Sequence, residues 1–597
     1  MVPRVSRPSL IGGALVLACL TAPGVAAATV TVTSYEITSD LAASGTAVPN
    51  PGPSSAQAAA VVNAGSYSSF AYTGVSEDLK TALTNFAPGL LGNPESVPKC
   101  PEANLQTNTC PAATQIGTSR LDVRSAGSGS GAPITGIPGS VYNAEPLTDE
   151  PGRLGIVTPV PGSPPLVSSI PFRITPRGGG DYGLTGTLTD IDELDSVAAF
   201  GGANLQVYAL SFILNGATNN YVRNPTSCQT HNNTGQAAGY EDTAFTDGPA
   251  YLFSTTGCDT VPFRPTTTME IGNAGNTGVN RYPPFSLKIT QPTGDADQKG
   301  NKITLPVELN VNNPAYKLCT QAQADADNCP DNSKFGGVAA KSPFLAEELK
   351  GPIYLIQQTA SSLPGLLLDL RGRVHVKLQT TTTLVNNKAI QSLILNAPQL
   401  PVSELRVGLN GGRNTGVFLN RQDLCFKGDS TSRFNDVSGL VKDYGHNGAT
   451  TTETKLKAKV NGCGPGVSGE ITSATGSRPS VQVKVNKHPD APNFKELTVT
   501  LSNNLSLVKR RFGRGAGAGS ADLEYVSRRS FKVTGLPAAG EDALTIRLRR
   551  GAVRVSERSQ DLLSRGRSRT FSAKVKQTPV SGADTSTRGE FRARGSR

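Results

Sequence analysis

The stretch CPEANLQTNTCPAATQIG begins at Cys100, and CTQAQADADNCPDNSKFG begins at Cys319. Each sets two cysteines with nine residues between them, follows the second with proline, and closes on an apolar residue and glycine. Little else in the two stretches agrees. A ten-residue step fits a disulfide closing a short loop, worth roughly 2.5–3 kcal/mol by the chain-entropy model, less any strain. With its shape held covalently, the middle of such a loop is free to vary while its ends are not.

The repeat extends beyond the cysteines. GSVYNAEP at Gly139 follows the first pair, and GPIYLIQQ at Gly351 follows the second. Further on, Leu205, Val207, Leu210, Leu214, Asn215 and Gly216 match Leu400, Val402, Leu405, Leu409, Asn410 and Gly411. Each unit then supplies two more cysteines, Cys228 and Cys258 in one and Cys425 and Cys463 in the other. Four landmarks in the same order define a duplicated unit of roughly 200 residues, within the usual size of a domain. The duplication argues that each unit closes its own bridges. The expected pairs are Cys100 with Cys110, Cys228 with Cys258, Cys319 with Cys329, and Cys425 with Cys463.

Strand signals dominate the chain. TVTVTSYEIT, PFSLKITQ, KITLPVELNV, RVHVKLQTTTTLV, SVQVKVNKH and KELTVTLS alternate apolar and polar residues between turn residues. Helical periodicity is sparse, SEDLKTALTNF being the best short candidate. The expected fold class is all-β and multidomain: tandem β-sandwich-like domains with an internal duplication and a basic C-terminal β-sandwich. A shorter theme, two strands around a polar turn, occurs three times, opening at SYSSFAYTG, FSLKITQ and SVQVKVNKH. It reads as a hairpin used three times.

FAPGLLGNPESVPKC, CPAATQIGT, GSVYNAEP, RLGI and DYGLTGTL resemble motifs of a family of large uncharacterised secreted actinobacterial proteins with repeated Cys-x9-Cys-Pro units. The resemblance spans most of residues 86–463. The second copy departs from it, since VELNVNNPAY lacks the proline-glycine turn. The family implies export and a repeated β architecture, and no activity, cofactor or catalytic residue.

The start of the chain has the order of an export signal. Arg4 and Arg7 precede the apolar run LIGGALVLACL, and small residues follow in APGVAAAT, with cleavage expected near Ala27 or Ala28. Cys19, in VLAC, approximates a lipidation site, but Leu17 is bulky for its place and Leu20 is an unusual follower. Nine cysteines less Cys19 leave eight, an even number that suits disulfides in an exported chain. The expected organisation is a signal peptide over 1–28, repeat units over 29–262 and 263–463, a basic β-sandwich over 464–580, and a disordered basic tail over 581–597. The expected location is secreted or at the cell surface.

Charge is the most uneven property. Residues 464–597 hold 25 Lys and Arg against 11 Asp and Glu, whereas the remainder holds 32 against 35. All the excess positive charge therefore lies in the last quarter. Lys509, Arg510, Arg511 and Arg514 form one cluster, and Arg547, Arg549 and Arg550 another. Arg547 and Arg549, two apart, are expected on one strand face. The partner such clusters suit is an anionic cell-wall polymer or other extracellular polyanion. The opposing reading is a surface that only keeps the chain in solution.

Reaction chemistry is not legible. The chain has no His-Glu-x-x-His pairing, no Gly-x-Ser-x-Gly elbow and no phosphate loop. Close-set cysteine pairs of the zinc-ligating kind are also missing. Asp325, Asp327 and Asp331, in DADNCPDN, resemble an acidic calcium run, as do TDIDELD around Asp190–195 and GDADQKG with Asp295 and Asp297. The duplicate of the first reads QTNTCPAAT, without a carboxylate, which favours a solvated loop. No catalytic residue, metal or cofactor is expected. The sequence points to a non-catalytic structural or adhesive surface protein. The alternative is a secreted hydrolase or glycan-binding module with a site built from distant loops.

Overall fold

A computed structural model describes residues 29–38, 55–73, 77–125, 134–159, 164–177, 181–189, 191, 194–197, 203–312, 317–358, 363–386, 389–394, 396–428, 430–476, 478–536, 542–549 and 551–593. The signal sequence and Cys19 lie outside the described residues. The chain is almost entirely β, with a few short helices.

The second domain is the most regular. One wall runs Thr266–Ile271, Phe285–Thr290, Glu404–Leu409, Lys334–Lys341, Leu349–Ile356 and Gly365–Leu370, each antiparallel to the next. The facing wall runs Thr454–Val460, Ser438–Gly445, Gln298–Thr304 and Ala389–Ile394. Two joints close the walls into a flattened barrel. Thr454–Val460 pairs parallel with Thr266–Ile271. Val376–Gln379 finishes the first wall, and the chain passes through Thr380 into Thr381–Val385, which finishes the second. Alternation decides which side chains fill the space between: Phe285, Leu287 and Ile289 are buried, while Ser286 and Lys288 are exposed.

The first domain repeats this order. Ala203–Leu214 lies between Ala64–Thr73 and Gln115–Ser125, and Leu79–Asn85 lies opposite, between Tyr182–Leu188 and Thr230–Gly239. A two-residue ladder of Leu91–Gly92 with Val222–Arg223 matches that of Leu309–Val311 with Phe418–Asn420. The third domain repeats it again. Ala543–Leu548 lies between Ser480–Asn486 and Ala516–Gly517, and Phe494–Leu501 lies between Ser530–Thr534 and Arg569–Pro579. Leu505–Leu507 with Val553–Val555 supplies its short ladder. One strand order thus occurs three times in the chain.

Three expectations are corrected here. The recurring pair of strands is not a hairpin, because its two members belong to opposite walls in every copy. The polar turn carries the chain across the sandwich, so each strand turns its apolar side toward the other without hydrogen-bonding it. The helical candidate contains the strand Leu79–Asn85. The tail expected to be disordered is largely a strand, Thr585–Ala593, paired along its whole length with Arg569–Pro579. It buries Thr587, Gly589, Phe591 and Ala593 on alternate positions, so the third domain runs on past residue 580.

The cysteine loops take the same shape. The four disulfides join Cys100 to Cys110, Cys228 to Cys258, Cys319 to Cys329 and Cys425 to Cys463, with Cα separations of 5.1–5.8 Å. In the short loops a one-turn helix, Glu102–Gln106 or Gln321–Asp325, follows the first cysteine. Asn108 and Asp327 then adopt positive φ at the same step. The closing glycines have a steric reason. A Cβ on Gly117 would lie 2.0 Å from the Ile213 carbonyl oxygen, and one on Gly336 would lie 2.1 Å from that of Gly408. Backbone from the neighbouring strand occupies the place a side chain would need.

The variable middles are not independent of their surroundings. Cys100 bridges Ala144 and Cys319 bridges Ile356, which makes Tyr142 and Tyr354 equivalent, with Gly155 and Leu367 as their strand partners. Leu105 fills the space over Gly155; in the second loop Ala324 stands at that step, and Leu367 fills the space from below. A Cβ on Gly155 would lie 2.5 Å from a Leu105 methyl. Large-over-small in one copy has become small-over-large in the other. Gly155→Leu therefore lowers the apparent Tm, at an overpacking cost of roughly 1–3 kcal/mol, and adding Leu105→Ala restores most of the loss. Thermal melts of the two variants check this; an additive double variant contradicts it.

Candidate functional site

The two basic clusters, more than thirty positions apart in sequence, meet on one edge of the third domain. Lys509–Gly515 forms a short helix anchored by Phe512, which is buried against Phe531 and Tyr525 at ring-centroid distances of 5.4 and 5.9 Å. With Phe512 turned inward, Lys509, Arg510, Arg511 and Arg514 are exposed. The Arg549 amide donates to the Gly515 carbonyl at 2.6 Å, and Arg547 lies opposite Gly517 in the ladder. The turn through Gly551, at positive φ, passes beneath the Arg511 side chain. Lys509 Nζ sits 5.8 Å from the Tyr525 ring centroid, a cation–π contact.

Arg547 is exposed on its strand, while Arg549 lies just beyond the strand's end, also exposed. Arg550 lies outside the described residues. Among the described residues, the ion pairs of this domain are Lys487–Asp542, Lys532–Glu496, Arg565–Asp561 and Lys576–Asp584. None involves the ridge. Most other Lys and Arg of the domain also stand outside these pairs; what sets this edge apart is that two clusters meet on it. Three cations in the first turn of a helix also oppose the backbone dipole.

The acidic candidates disperse. The Asp325 carboxylate accepts from Gln321, and Asp331 is exposed in a separate turn. Asp295 pairs with Arg264 at 2.7 Å, and Asp297 pairs with Arg223 at 2.9 Å across the buried contact between the first two domains. Asp190 lies outside the described residues, as does the Asp195 side chain. Asp327 instead joins Asp369 and His375, ligand-type atoms all lying within 4.8 Å of one another. Sequence spacing did not place these three together. Strand Gly365–Leu370 supplies Asp369, and the following turn supplies His375.

Two cations already occupy this group. Lys377 Nζ lies 2.7 Å from Asp327, and Arg371 lies 2.8 Å from Asp369. Burial works to raise the Asp327 carboxyl, but the Lys377 hydrogen bond and the surrounding positive charge outweigh it and hold the group below the ordinary carboxylate value. The hydrogen bond that Arg371 donates to the Asp369 carboxylate raises the guanidinium. Two carboxylates balanced by Lys and Arg form an ion-pair cluster with no charge left to attract a divalent ion. The other histidines are scattered. His231, His446 and His488 are pushed below the usual imidazole value by burial. His231 and His446 hydrogen-bond the backbone carbonyls of Ser227 and Ala397.

No protein-family model and no curated protein matches the chain. Solved structures similar to it include a biofilm-associated protein B domain, at 9% identity over 55% of this chain and 85% of that one, with a TM-score of 0.16. Another is a putative membrane-anchored protein from Corynebacterium diphtheriae, at 6% identity over 94% and 95% of the two chains, also with a TM-score of 0.16. Likeness at that level carries no argument about fold or function. No helix among the described residues is long and apolar enough to cross a membrane.

The balance at Asp327 and Asp369 has a direct consequence. Calcium at about 1 mM, where extracellular calcium modules bind, leaves the apparent Tm unchanged, as does a chelator. A calcium-dependent rise, abolished by Asp369→Asn, contradicts the ion-pair assignment.

Proposed function

We propose that this is a non-catalytic structural or adhesive protein of the cell surface or extracellular matrix, held to an anionic envelope polymer by its third domain. The observation that carries the reading is the joining of two sequence-distant basic clusters into one exposed ridge. Four disulfides favour an oxidising compartment outside the cytosol, and the leader-like start agrees with export. The resemblance to secreted actinobacterial proteins is consistent with the same setting.

Lys and Arg on an exposed edge attract a polyanion without a pocket, so the attraction follows ionic strength. The screening length falls from about 30 Å at 0.01 M to about 8 Å at 0.15 M. Binding of the full chain to a purified anionic wall polymer therefore weakens by about tenfold or more across that range, as expected for several charges acting together. Arg510→Gln, Arg511→Gln, Arg514→Gln and Arg549→Gln combined remove most of the low-salt binding and leave the melting curve in place. Retained binding by a folded quadruple variant would show that the ridge is not the site, and absence of binding by the unaltered chain at low salt removes the polymer altogether.

A further inference from the structure

The first and second domains can be compared position by position, because the register equates them. Leu214 and Leu409 lie opposite the equivalent Gly117 and Gly336. Ala64, Ser66 and Ser68 then hold the places of Phe285, Leu287 and Ile289. Ser119 holds the place of Val338. All of these face the space between the two walls. The second domain fills that space with large apolar side chains, and Leu287 and Val338 are 7% and 3% exposed. The first domain puts small ones at these positions, with the larger Phe212 between Ser66 and Ser119 where the second has Val407.

The result is an unfilled interior. A cavity of about 120 Å³ lies at the contact between the two domains, and one of about 100 Å³ lies next to it inside the first domain. Ser66, Phe86, Phe172 and Phe212 line both. The matching space in the second domain is about 80 Å³. The walls are dominated by aromatic and aliphatic groups, and the Ser119 hydroxyl is buried with no hydrogen-bond partner among the described residues. A dry apolar cavity of about 150 Å³ takes up benzene, and the two adjoining cavities, with Ser66 and three phenylalanines between them, together offer space of that order. Its outer end has an amphiphile's polarity. Leu345 and Leu400 line it, while Val402, 37% exposed, and Lys341, with a side chain 54% exposed and Nζ 3.8 Å from the Glu404 carboxylate, stand at the surface.

We propose that the interior of the first domain binds an aliphatic chain, which enters between the first two domains and leaves its polar head at Lys341 and Val402. The chain belongs to a free fatty acid or to a membrane lipid. The serine row makes the room, and the phenylalanines supply the contact.

Calorimetry of the full chain against decanoate, and sedimentation with phosphatidylcholine vesicles, whose surface carries no net charge for the basic ridge to attract, tests this and separates the two sources. Saturable decanoate binding supports a free acid; vesicle binding without decanoate binding supports a membrane lipid. Ser66→Leu with Ser119→Val installs the second domain's residues, raises the apparent Tm and weakens binding by about tenfold or more. Should that variant not fold, Val402→Asp at the exposed mouth decides, with a similar loss expected. Absence of binding to both probes, or unchanged binding by a folded variant, overturns the proposal.

Discussion

Two β-sheets facing one another stand about 10 Å apart, and the side chains pointing inward must fill that gap. Every domain of this chain is an answer to that demand on the same strand order. The second uses Phe285, Leu287 and Ile289, and the third uses Val481, Val483 and Val485, at most 2% exposed. The first uses Ala64, Ser66 and Ser68. The walls are alike because hydrogen-bond register and alternation are backbone properties. Their fillings differ because only total volume and polarity are tested there.

Outside the sandwiches, covalent closure relaxes the demand. A loop pinned by a disulfide keeps its path while its residues change, provided each change is matched across the contact. The exchange of Leu105 over Gly155 for Ala324 over Leu367 is such a match. The glycines at 117 and 336 are held more strictly, since backbone fills the space beside them.

Much of this was legible in the sequence, and the limits are physical. The all-β class followed from alternation, and the equivalence of Gly139 with Gly351 followed from local likeness. Alternation says which side of a strand is apolar but not which strand lies beside it. Crossing turns were therefore read as hairpins. The strand 585–593 was missed because its inward positions are mostly small, at Thr587, Gly589 and Ala593, and its outward ones are charged. Each half of the basic ridge was visible as a cluster. Their meeting depends on pairing between Ala516–Gly517 and Ala543–Leu548, which no local signal reports. Asp369 and His375 were invisible as partners of Asp327 for the same reason.

The central claim is that the three domains share one framework and that the first is underfilled. Native-state hydrogen exchange reads this directly, since opening is easiest where few apolar contacts hold a strand. Amides of Ala64–Thr73 should exchange faster than those of Phe285–Thr290 and Ser480–Asn486, which occupy the same place in the other domains. Equal or slower exchange in Ala64–Thr73 would contradict the account.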